Sequence, residues 1–181
     1  MKKGIAMVGL LATMTLASSG LLYADTNKVQ HKQMADNHIV SQPATVSMNE
    51  AEKLMSNIKI STPEEIPEGY QLDGIIYNEP PKEFANGVKP DITSQKEVVM
   101  RYKHQTKSGN WIEHTIKSGK ISIGDEGKKA IKLNGVKGEI LEYPEEGIIA
   151  LNWHKDGVSH FVLSKGDLAK EELIKFAESI K

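Results

Sequence analysis

The sequence predicts an α+β fold: an antiparallel sheet of about six to seven strands in hairpins, with an N-terminal and a C-terminal helix packed on one face. Three observations lead there. Asn134-Gly135 and Asp156-Gly157 each stand between two short apolar runs, the strongest local signal for a two-residue hairpin. Helical periodicity occurs only at the two ends of the folded stretch. Between those ends the runs are short and punctuated by turn residues, so hairpins connect them rather than helical crossovers.

Taken in order, Ser47-Met48-Asn49-Glu50 sets a hydroxyl three residues ahead of a carboxylate, the spacing of a reciprocal capping box, and starts the first helix. Ala51, Leu54, Met55 and Ile58 recur at steps of three and four and give that helix one apolar stripe. Thr62-Pro63 is its expected stop, because proline forces the preceding residue out of helical angles. After the turn at Pro67-Glu68-Gly69, strands are expected at Tyr70 to Tyr77, Glu97 to Gln105, Trp111 to Ser118, Lys129 to Leu133, Val136 to Tyr143, Ile148 to His154 and Val158 to Ser164. The connection Asn78 to Ser94 holds Pro80, Pro81, Gly87 and Pro90 and reads as an irregular surface loop. Asp167 is the expected N-cap of the closing helix, whose apolar face carries Leu168, Leu173, Ile174, Phe176, Ala177 and Ile180.

The chain has 181 residues and opens with Lys2 and Lys3, an apolar run Ile5 to Leu16, and then small residues. That is the layout of a signal peptide over residues 1–24, with cleavage expected after Ala24 and a second point near Ser19. The alternative is an uncleaved anchor, since about 21 residues from Gly4 to Ala24 suffice to cross a hydrocarbon layer of about 30 Å. Residues 25–46 are polar and aperiodic and read as a flexible linker, so residues 47–181 form the single folded domain. The address is therefore secreted or extracytoplasmic, with the membrane involved only through an uncleaved N-terminal segment.

Composition narrows the function classes. The absence of cysteine removes disulfides, thiolate metal sites and cysteine nucleophiles together. Once Lys2 and Lys3 leave with the signal, the net charge is about −3, and Arg101 is the only arginine in the chain. A nucleic-acid partner is not expected, because phosphate and base recognition lean on basic clusters and on the guanidinium fork.

Four stretches resemble one family. Ile60-Ser61-Thr62-Pro63-Glu64-Glu65-Ile66-Pro67-Glu68-Gly69-Tyr70-Gln71-Leu72 is similar to the opening of the bacterial domain of unknown function 4367. Asn134 to Glu139, Leu151 to Val158 and Leu168 to Lys181 resemble its glycine hairpin, tryptophan strand and closing helix in the same order, so the likeness covers roughly residues 47–181. The resemblance implies an extracytoplasmic envelope domain, often behind a membrane segment or beside anti-sigma-factor and lipoprotein-carrier-like modules. It implies no enzymatic activity and supplies no catalytic residues. With only three residues ahead of the apolar run, direct anti-sigma activity is not expected of this chain.

No catalytic constellation is legible in the residues. The acid pairs Glu64-Glu65, Asp125-Glu126 and Glu145-Glu146 adjoin Pro or Gly, turn positions that supply neither the burial nor the close charge a general acid needs, so solvated turns are expected. The chain lacks a nucleophile elbow, a phosphate loop and a zinc-protease helix motif. A two-residue loop at Asp156-Gly157 pairs Trp153 with His160 and His154 with Ser159, so His154 and His160 point to opposite faces. A three-residue loop at Ser108 to Asn110 would set His104 and His114 directly opposite each other on one face, whereas a two-residue loop would not. Either way two imidazoles leave a tetrahedral zinc site half built, so a solvated cross-strand pair is expected and no metal or other cofactor.

The expectation that emerges is a non-enzymatic binding or sensory module of the cell envelope, working on a protein partner. Its candidate interaction surface is the sheet face without helices, with Trp111 and the histidines His104 and His114 as candidates. The alternatives are a carrier that holds an acyl chain or small apolar ligand against its sheet, and an unrecognised hydrolase or protease inhibitor.

Overall fold

The computed structural model describes residues 45–56, 58–79, 96–119, 121, 123–124 and 127–181. The signal peptide, nearly all of the linker, nearly all of the proline-rich connection and Asp125-Glu126 lie outside the described residues. Helix α1 (Met48–Met55) is followed by seven strands: β1 (Tyr70–Asn78), β2 (Glu97–His104), β3 (Trp111–Ser118), β4 (Lys129–Leu133), β5 (Val136–Tyr143), β6 (Ile148–Lys155) and β7 (Val158–Lys165). Helix α2 (Lys170–Glu178) comes last. All seven strands join one antiparallel sheet in the order β1-β2-β3-β7-β6-β5-β4. Each expected strand is present to within one residue of its expected ends.

Turn chemistry sets the register. Asn134 and Gly135 have φ of 50° and 81°, and Asp156 and Gly157 have 53° and 80°. Positive φ at both central residues makes a turn whose twist matches that of the flanking strands. Trp153 accordingly faces His160 and His154 faces Ser159 across the β6-β7 hairpin. The pairing that joins the two halves of the sheet is non-local: β3 lies beside β7, with His114 opposite Val162 and Ile116 opposite His160.

Both helices pack on the same face. Ala51 and Met55 of α1 and Leu173, Phe176 and Ala177 of α2 share one buried cluster with Val98, Met100, Tyr102, Ile112, Ile116, Leu151, Trp153 and Val162. Helix α2 runs along β5. Lys170 near its start bonds Glu142 at 3.3 Å, and Asn134, in the turn that leads into β5, donates to the carbonyl of Glu178 at its end. Yet Phe176 meets the ring of Tyr102 on β2 edge to face at 5.3 Å. Four strand steps separate β2 from β5, about 19 Å in a flat sheet. Helix α2 thus reaches from β5 to β2 across the face that bears both helices, the concave face as against the convex one.

The helix ends depart from expectation. Helix α1 has the expected capping box, with Ser47 N donating to Glu50 at 2.8 Å, but it stops at Met55 rather than at Thr62-Pro63. Ser56 turns to φ 55°, its hydroxyl reaching back to the carbonyl of Lys53, the competition with helical bonding that serine offers near a helix end. Ile58 still packs on the core, from outside the helix. At the other end Asp167 is not the N-cap: α2 begins at Lys170 after Ala169, which makes no side-chain cap bond. The Asp167 carboxylate is taken instead by Lys107 at 2.7 Å and by Asn110, in the β2-β3 connection. Lys107 holds it below the usual carboxylate range.

Candidate functional site

Strand alternation carries two different clusters of functional side chains on the two faces of the sheet. On the concave face His114 of β3 is fully buried and His160 of β7 is 5% exposed. His114 Nε2 lies 3.1 Å from His160 Nδ1, a hydrogen bond between two imidazoles. Trp153 of β6 completes a stack, its ring 4.9 Å from that of His160 and inclined to it by only 8°. Gly138 of β5 stands opposite Trp153 and makes the room: a β carbon there would fall 2.8 Å from the Asn152 carbonyl oxygen. Burial pushes the His160 pKa down to about 4 and that of His114 well below its ordinary value, with His160 adding to the effect on His114. Both rings are neutral at physiological pH. His114 Nδ1 is buried and has no hydrogen-bond partner.

The convex face has an apolar centre too. Leu141, Ile148, Ala150 and Leu163 form it, with Ile123 laid over them and Trp111, Tyr143 and Phe161 partly buried around them. Ile123 belongs to the β3-β4 connection, which crosses this face and is tied down by polar groups. Ser159 donates its hydroxyl to Gly119 O at 2.5 Å and accepts from Ile121 N at 3.1 Å, while Asn152 Nδ2 donates to Ile121 O at 2.8 Å. Since the one Ser159 proton goes to Gly119, the 3.0 Å contact with His154 Nδ1 has the imidazole as donor. Next to this centre Arg101 forks onto Glu113, Nη2 at 2.6 Å and Nε at 2.8 Å from the same oxygen, with Glu113 only 6% exposed.

The three residues singled out in the sequence do not form one surface. Trp111 lies on the convex face, opposite Lys103 and Lys165. His104 and His114 lie on the concave face, but His114 faces Met100 while the His104 amide bonds the carbonyl of Asn110, so the two are not opposite each other. Nor is the pair solvated. His114 is in the core, and His104 packs edge-on against Tyr70 with Nδ1 accepting from the amides of Thr106 and Lys107 at 3.2 Å each. Sequence reasoning missed His160 as the partner of His114. The contact spans 46 positions and depends on the β3-β7 pairing, which no hairpin signal announces.

Glu64, Glu65, Glu145 and Glu146 are exposed, as expected of turn residues, and Glu64 is paired with Lys181. Among the described residues no group of three His, Cys, Asp or Glu side chains is placed to hold a metal ion, and no helix is long and apolar enough to cross a membrane.

A search of curated proteins finds no match to the chain. The family model described as domain of unknown function 4367 matches residues 60–180, from the segment before β1 through the end of α2. With well over half of its length matched across the whole sheet, the chain belongs to that family.

Proposed function

We propose that this protein is an exported, non-enzymatic binding or sensory module of the bacterial cell envelope, and that it meets a protein partner through the convex face of its sheet. The observation that carries this reading is the grouping of Trp111, Tyr143 and Phe161, partly exposed, around Leu163 and beside Arg101. Aromatic and arginine side chains on a rigid platform concentrate binding energy at protein interfaces. The N-terminal run supports export, and a mature chain beginning at Asp25 is the expected form. An intact Met1 on exported protein, read by mass spectrometry, would replace the secreted form with a tethered one.

The test is site-specific photocrosslinking in intact cells. A photoreactive residue at Phe161 should yield a discrete adduct with a partner, and one at Lys53, exposed on α1 beside the concave face, should not. Equal labelling at both positions, or none at Phe161, sinks the convex-face reading. The carrier alternative draws less support, because Leu173 and Phe176 of α2 fill the concave side where a ligand would lie.

A further inference from the structure

We infer that the His114-His160 pair is an acid-sensitive latch, which holds the packing of β3, β6 and β7 on the concave face closed while both imidazoles are neutral and loosens it when the pair takes up a proton. The argument is one of proton placement. A single hydrogen lies between His114 Nε2 and His160 Nδ1. If it belongs to His114, the neutral pair leaves His114 Nδ1 as a bare acceptor, a tolerable loss. An added proton then goes either onto His114 Nδ1 or onto His160 Nδ1, and the second choice breaks the bond. If the shared hydrogen belongs to His160, neutral His114 already carries its proton on Nδ1, and so does the form in which His160 is charged. Every protonated state that keeps the 3.1 Å bond therefore puts an N–H on His114 Nδ1, which is buried and has no acceptor. Proton uptake either strands a donor in the core or separates the two rings.

The surroundings offer the cation little help. His114 stands opposite Met100 of β2 and Val162 of β7, both buried and apolar, and Trp153 of β6 stacks on the pair. Burial holds the Tyr102 phenol up at about 12, so it stays neutral. The charged or titrating groups that act on the pair from nearby are Lys155 and His154, and both oppose its protonation. Among the described residues the face of Trp153 favours an imidazolium, at His160. Trp153 also makes the event visible, since its ring lies against His160.

For a histidine whose pKa is lower in the folded than in the unfolded chain, the unfolded state binds more protons between the two values. Its contribution to stability is complete above about pH 6.5 and is lost as the pH falls through the folded value, about 4 for His160. Each such histidine lowers the ratio of folded to unfolded protein by about tenfold per pH unit in that window. The experiment is denaturant unfolding of the exported chain from pH 7.5 to 4, for the natural protein and for the double variant His114→Leu/His160→Phe. The double variant should lose the steep part of the dependence, about a hundredfold per pH unit for two histidines; a dependence equal to that of the natural chain overturns the latch. Should the variant not fold, histidine ring resonances of the natural protein decide. The two buried rings should stay neutral to below pH 5 and then titrate together with a change in Trp153 fluorescence. Titration of either near pH 6.5 with the Trp153 signal unmoved rejects the proposal. Neither readout depends on whether a partner is captured at Phe161, so this inference and the binding reading fail separately.

Discussion

The two faces of one sheet are covered in opposite ways. The concave face is closed by helices that flank the strand region in sequence, and its contacts are almost wholly apolar. The convex face is covered by the connection between β3 and β4, whose Ile123 sits on the cluster while Gly119 and Ile121 are tied through Ser159 and Asn152. The strands are nearly indifferent to the difference. Val98, Val99 and Met100 are consecutive and all buried, as are Ile75 and Ile76, so here too both faces are shielded from water. The helix-bearing side is the core, and the other is the side proposed above to meet a partner.

The largest expected effect is on the concave cover. Phe176→Ala removes a ring that is 1% exposed and packed on Tyr102, and should cost about 3–5 kcal/mol in urea unfolding. A cost under about 1 kcal/mol would mean that α2 is not the core element described above. Gly138→Ala comes next, at about 1–3 kcal/mol. Its β carbon meets backbone that cannot yield cheaply, and the near-ultraviolet circular dichroism of Trp153 should change with it. Ile123→Ala is the smallest, at about 1–2 kcal/mol, since the connection can settle as the side chain shrinks. Its sharper signature is hydrogen exchange: the Ile121 amide should lose protection while the amides of Ile112 and Leu151 keep theirs. Equal loss on both faces would show that the two covers are one cooperative unit and would remove the distinction.

Local chemistry was legible in the residues, and assembly was not. Asn134-Gly135 and Asp156-Gly157 dictated two hairpins and their registers because a turn with two positive φ values leaves no other pairing. Ser47 and Glu50 likewise announced the start of α1. The end of α1 was misplaced because Pro63 is a louder signal than Ser56, although the nearer and weaker residue acts first. Asp167 has the right chemistry for an N-cap, and lost that role to Lys107 and Asn110, which the β3-β7 pairing brings beside it. The same non-local pairing hid the meeting of His114 with His160. The reach of α2 from β5 to β2 was equally hidden, since no single segment contains both ends of it.

That α2 reaches across the sheet has a consequence for the order of events as the chain is made. Tyr102 belongs to a strand completed at residue 104, yet the ring packed on it comes from Phe176. The ties Glu64 to Ser179 and Thr62 to Lys181 are likewise closed across more than a hundred positions. Contacts of such long range form late, because loop closure must precede the burial that rewards it. A growing chain thus carries an open apolar surface until its last helix arrives.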